Sequence, residues 1–420
     1  MRRVWGCATA LAALVTLVVA AAAPADARWH RVSTLSDDHH CVVNLRQAVA
    51  TNHHGRALVA WTCSNGQSFP DAVTRIGARV RGADGRWHVL QWVSPRDGLA
   101  DWPVVAMDSH GAGVVAFSTG GSGSAVWARR VRRDGHLGRL TFLGDGIASS
   151  VAMDARRNAV FAFTDVDTSI GYVSTWQPGR RPTTPVRLTT PDVTSTSQPF
   201  VAMNAAGSTA VAWGEGNFVY ERDVHLDGSV GGVVTLTDVA AQAHAVQPFL
   251  DRHGDLAVTW ADSDGAAAMR ALVVRRSAAG VIAPPQVLST GETSLTEYHA
   301  ALARDGSLDV VWVHGSFEKA FVEHLSPAGV LGPRQLISRH AAYVTIAVSP
   351  DGPGVVSWGQ FRPGVSTLVA YSSRISSNGT VGTRHRMPYT SSAPMAHLVR
   401  RRYLTPAVLV PGRVTALVGP

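Results

Sequence analysis

Lysine is all but missing from this 420-residue chain: Lys319 stands alone, and the rest of its 38 basic side chains are arginine. Cysteine is nearly as scarce, with three in all, which leaves no room for a disulfide-rich framework. Beyond residue 23 no apolar run approaches the ~20 residues needed to cross a bilayer as a helix. Catalytic signatures are missing as well. Gly120-Gly121-Ser122-Gly123-Ser124 lacks the closing glycine of a nucleophile elbow, and neither His-Glu-x-x-His nor a phosphate loop occurs. These gaps exclude the familiar hydrolase and nucleotidase patterns.

What is present begins with an address. Arg2 and Arg3, an apolar run from Ala8 to Ala23 and then Ala25-Asp26-Ala27 have the parts of a secretory signal with a small-residue cleavage site. The expected division is a signal peptide over residues 1–27 and one mature domain over 28–420, secreted and extracellular or associated with the cell envelope. Cys7 leaves with the signal, so Cys41 and Cys63 are expected to form one disulfide. The formal charge of +8 is basic without being extreme. With export it argues for an anionic envelope polymer rather than nucleic acid as the attracted partner. A monomer is expected.

One phrase recurs seven times between residues 48 and 358: an apolar strand, a tight turn led by Asp or Asn and closed by Gly, then small alternating apolar residues. Each copy ends on an aromatic: Trp61, Phe117, Phe163, Trp213, Trp260, Trp312 and Trp358. Asn52/Gly55, Asp108/Gly111, Asn204/Gly207 and Asp251/Gly254 carry the full turn chemistry, while the third copy has Asp154 with Arg157 in the glycine position, and the sixth and seventh keep Gly306 and Gly352 with Ala303 and Ser349 in the leading position. A second turn follows in every copy and serves as a ruler. From Gly85 to Gly379 its glycines span 294 residues in six intervals, 49 residues each on average. A period near fifty with four strands per unit is a propeller blade.

Trp29 to Ser36 resembles a fourth strand, so the chain is read as starting on an outer strand. The last segment, from His397 to Val418, then supplies the three inner strands of a final blade. The expected fold is all-β, a β-propeller of eight four-stranded blades closed by an N-terminal outer strand, with seven blades plus a C-terminal tail as the alternative. The recurring aromatic is expected to fill the space between neighbouring blades.

Val-Ala-Met-Asp-x-x-Gly followed by Ala-Val-x-Ala-Trp is similar to the first half of NHL and related secreted propeller repeats, a resemblance at the level of fold. The pattern departs from the sialidase box Ser-x-Asp-x-Gly-x-x-Trp, because the acidic or amide residue stands three before glycine instead of two. Trp-Asp dipeptides of the WD40 class are absent.

In such a blade the loop between strands two and three shares a face with the loop leading to the next blade. Two residues past each aromatic, that face carries Cys63, Thr119, Asp165, Glu215, Asp262, His314 and Gln360. Asp165, Glu215, Asp262, His314 and Gln360 are therefore the candidate ligand-binding residues. Asp165, Asp167, Asp262 and Asp264 are the candidates to hold a divalent cation such as calcium, which takes carboxylate oxygens. The leading functional reading is a non-enzymatic binding or scaffold propeller for an envelope glycan or a protein. The alternative is a secreted glycan-acting hydrolase or lyase working at the acidic rim. The arginines of the third strands, such as Arg79, Arg81, Arg129, Arg275 and Arg276, read as solvated edges, with a basic belt for anionic polymer as the functional alternative.

Overall fold

In the first five repeats the lead residue of the first turn shows why the chain folds back where it does. Asn204 Oδ1 accepts the backbone N–H groups of Ala206 (3.1 Å) and Ser208 (3.0 Å). Asp108, Asp154, Asn52 and Asp251 make the same pair of bonds in their own repeats. One buried side chain thus satisfies two backbone donors and closes the hairpin. Asn204 adds a tether, donating from Nδ2 to the carbonyl of Asp251 in the following repeat (3.0 Å), and Asn52 does likewise to Asp108 (3.1 Å). Asn204→Ala removes all three bonds and leaves two N–H groups unpaired; about 2–3 kcal/mol of stability should be lost in chemical denaturation.

The computed structural model describes residues 30–35, 42–65, 73–96, 98–120, 124–189, 196–238, 242–263, 269–289, 295–315, 318–348, 353–362, 365–390, 395–399, 402–410 and 413–418. Every regular element among them is a β-strand, and no helix there is long and apolar enough to cross a membrane. Consecutive strands form seven antiparallel four-stranded sheets, blades 1 to 7 in chain order, whose first strands are Val42–Thr51, Ala100–Met107, Ile147–Met153, Phe200–Met203, Gln242–Leu250, Leu295–Leu302 and Ala342–Val348. An eighth sheet is composite. Met395–Val399, Arg402–Val410 and Arg413–Val418 supply its inner strands, and His30–Thr34 pairs antiparallel with Arg413–Val418 as its outer strand. The first strand of this sheet lies between those of blades 7 and 1, so the ring closes on itself and the N-terminal strand acts as the clasp read from the sequence.

Blades pack by a repeated large-on-small fit. In blade 5 the second strand, Leu256–Ser263, turns Leu256, Val258 and Trp260 toward Ala210 and Ala212 of blade 4. On its other face Ala257 and Ala261 receive Leu308, Val310 and Trp312 of blade 6. Strand alternation makes this possible, because successive side chains point to opposite faces. Trp358 and Phe163 repeat the arrangement against blades 6 and 2, and Trp61, Trp213, Trp260, Trp312 and Trp358 are at most 1% exposed. The expected aromatic filling between blades is what the structure shows. Met107, Met153 and Met203 are half-buried partners of the same inter-blade clusters.

The third-strand arginines differ from their sequence reading as solvated edges. Arg130 donates to the carbonyls of Arg157 (2.7 Å) and Trp176 (2.6 Å) in the next blade and lies 4.4 Å over the Trp176 ring. Arg275, one blade-pattern position equivalent, donates to the carbonyls of Gly306 and Ser326 (3.0 and 3.2 Å). Arg276 reaches back to blade 4, at 3.1 Å from Glu221 and 3.0 Å from Asp223. They are inter-blade ties. A guanidinium spans that gap because its several donors can bridge separate acceptors at once.

Candidate functional site

The rim residues singled out from the sequence sit at the ends of second strands, and most are already engaged. Asp262 is 1% exposed and bonded to Arg270 at 2.6 Å, its direct cross-strand partner. Asp165 Oδ1 accepts the N–H groups of Asp167 (2.9 Å) and Thr168 (3.1 Å), capping its own loop, while Asp167 is exposed. Glu215 is half-buried beside the indole N–H of Trp213 (3.4 Å). Burial raises its carboxyl above the usual range, with the Trp213 bond and the Arg187 charge opposing. His314 is half-buried. Gln360 opens on a cleft of about 390 Å³ shared with Ser338, Arg339, His340 and Arg384, its Oε1 buried without a partner among the described residues. Asp264 and Cys41 lie outside the described residues. Among those described, no three His, Cys, Asp or Glu side chains stand close enough to hold a metal ion.

Sequence reasoning missed one feature of this face. The first strands of blades 2, 5 and 7 slip register near their starts, and the bulges hold Trp102, Ala245 and Tyr343 at φ of 54°, 49° and 53°. A bulge kinks the strand and re-aims the side chain at its tip; Trp102 and Tyr343 are 39% and 37% exposed as a result. Bulges leave no local signature in composition, so no periodicity count would have found them.

On the opposite face, built from the turns joining strands one to two and three to four, lies a cleft of about 860 Å³ between blades 2 and 3. Its walls are the turns after Ala100–Met107 and Ala125–Val131 on one side, and after Ile147–Met153 and Gly171–Trp176 on the other. Five arginines line it, Arg130, Arg132, Arg133, Arg156 and Arg157, against the carboxylates of Asp108 and Asp134. Arg130 forms the floor, and burial, followed by the neighbouring Arg157 charge, pushes its pKa down to about 10. Arg132, Arg133, Arg156 and Arg157 are exposed. Their guanidinium groups make no hydrogen bond or ion pair among the described residues, in contrast to Arg130, Arg270, Arg275 and Arg276. Like charges held this close repel, so the arrangement is at its most favourable when an anion sits between them.

No protein-family model matches the chain, and no curated protein matches it. Among solved structures it is similar to the WD40 domain of SCAP from fission yeast, at 10% identity and a TM-score of 0.54 over 94% of this chain and 98% of that one. It is also similar to the Dos1 propeller, at 11% identity and a TM-score of 0.51 over 93% of each chain. Likeness at that identity establishes the propeller fold and nothing finer.

Proposed function

We propose that this propeller is an exported, non-enzymatic binding module whose ligand is an anionic polymer of the cell envelope, held on the face that carries the basic cleft. The observation that carries the reading is the group of four guanidinium groups, on the turns around one concavity, that have no partner among the described residues, whereas Arg81, Arg130, Arg222, Arg270, Arg275 and Arg276 of the third strands each reach a carbonyl or carboxylate. Export rests on the signal-like segment over residues 1–27. A Cys41–Cys63 disulfide belongs to the same reading: Cys63 is 4% exposed in blade 1 and pairs in register with Val43, two residues from Cys41. So does the kinship with secreted NHL-like repeats, supported by the Val-Ala-Met-Asp-x-x-Gly phrase.

The glycan-acting hydrolase or lyase reading loses support. Asp262 is tied to Arg270, Asp165 caps its loop, and Glu215 faces an indole, so the three carboxylates serve three separate local structures. The test is retention of the purified chain on immobilised polyanion. Binding is expected at 50 mM salt and to weaken at least about tenfold by 300 mM, since exposed charges are screened over about 10 Å at 0.1 M. Retention unaffected by salt, or equal on a neutral matrix, would refute it.

A further inference from the structure

The first turn of blade 3 departs from its repeat at one position. Gly55, Gly111, Gly207, Gly254 and Gly306 close the equivalent turns at φ between 84° and 95°, where a residue without Cβ sits without steric cost. Blade 3 places Arg157 there at φ 70°. The turn itself is unchanged: the Arg157 N–H donates to the Asp154 carbonyl (3.1 Å), and its carbonyl accepts from Arg130 Nη1 (2.7 Å). Both bonds are made by backbone, so glycine would make them equally well. The side chain adds no bond to the fold among the described residues, holds a left-handed conformation that disfavours it, and brings its charge up to that of Arg130. Strain kept at one copy of a repeat, at the mouth of a charged cleft, marks a residue retained for what it meets from outside.

We infer that Arg157 is a ligand-contact residue, and that with Arg156 across the cleft from Arg132 and Arg133 it clamps the acid groups of an acidic polysaccharide lying between blades 2 and 3. This rests on the binding reading above and names its ligand class and its contact. The guanidinium fork matches carboxylate and sulfate oxygens alike. A recessed cleft of about 860 Å³ accommodates a chain rather than a flat surface. None of the exposed large apolar side chains, Val89, Trp102 and Phe142 among them, lines it, so it offers no anchor for entering a lipid interface. Nor does its lining carry a Trp, Tyr or Phe on which bases would stack.

The experiment titrates the full chain with polygalacturonate, dextran sulfate, neutral dextran and phosphatidylglycerol vesicles, using wild type, Arg157→Gly, Arg157→Asn and Arg86→Gln. Arg86 carries the same charge on the same face but lies outside the cleft, its side chain 91% exposed. Arg157→Gly should raise Tm by about 1–3 °C as the strain is relieved. It should also weaken binding to an acidic polysaccharide about five- to tenfold, through loss of one charged hydrogen-bond donor. Asparagine, which tolerates the left-handed region, should weaken it as much, and Arg86→Gln less than about twofold. Unchanged affinity in Arg157→Gly, a fall in its Tm, or equal weakening by Arg86→Gln overturns the inference while leaving the binding reading intact. Binding to vesicles without binding to either acidic polysaccharide overturns the ligand class. If the wild type binds none of the probes, the binding reading itself falls.

Discussion

Alanine at Trp260 is expected to cost about 3–5 kcal/mol in chemical denaturation, whereas phenylalanine at the same position should cost no more than about 1 kcal/mol. Trp260 is fully buried and sits with Leu256 and Val258 against Ala210 and Ala212 of blade 4. Alanine there opens a cavity between two sheets whose strands are pinned by their own hairpins, so the walls can close only partly. Phenylalanine keeps most of the packed volume. It also removes the indole N–H, which is buried with no partner among the described residues, as are those of Trp61, Trp312 and Trp358. An unpaired buried donor costs about 1–3 kcal/mol, which offsets much of the volume lost. The repeat makes this exchange itself at Phe117 and Phe163, both at most 1% exposed. Equal losses for the alanine and phenylalanine variants would show that the indole N–H finds a partner and that packing volume is not what the position supplies.

That interchange explains why the fold was legible. The turn from Asn204 to Gly207 and the aromatic at Trp213 depend on interactions within one hairpin or between adjacent copies of one phrase, so their spacing writes the blade period directly into the sequence. Closure was legible because Trp29 to Ser36 repeats a fourth-strand pattern before any first strand has appeared. The site was not legible for the opposite reason. Whether an arginine is a tie or a free charge depends on residues a blade away: Arg130 reaches Trp176, 46 positions on, while Arg132 two residues later reaches nothing among the described residues. The acidic rim looked like a set because it recurs in register, yet Asp262 is neutralised by Arg270 only eight residues along the same hairpin, a pairing the strand register would have revealed. Arg157 was visible as an exception to the glycine rule, and only the cleft beside it gives the exception a meaning.

The largest pH-dependent effect is expected at the junction of blades 4 and 5. Arg276→Ala should cost about 1 kcal/mol at pH 5 and about 1.4 kcal/mol more at pH 8, a pH about one unit above the pKa of the Glu221 carboxyl it faces. Glu221 is fully buried, and burial raises its pKa from 4.5 to about 7, with the Arg276 charge opposing that rise and Asp223 adding to it. A carboxyl raised in the folded state holds its proton where the unfolded chain has released it. Its contribution is therefore full below pH 4.5 and declines as pH rises through about 7. Removing Arg276 raises that carboxyl further. At pH 8 the variant must either keep an unpaired buried charge or take up a proton against the solution, whereas at pH 5 the proton is already present and little is lost. Asp223, the other partner, is more than half exposed and contributes little at either pH. Glu323, raised to about 7 by its own burial, is present in both proteins and cancels in the difference. Adding Glu221→Gln to Arg276→Ala should abolish the difference between pH 5 and pH 8 and recover most of the stability lost at pH 8. A cost that is the same at both pH values, or that survives the glutamine, would mean that Arg276 acts through packing alone.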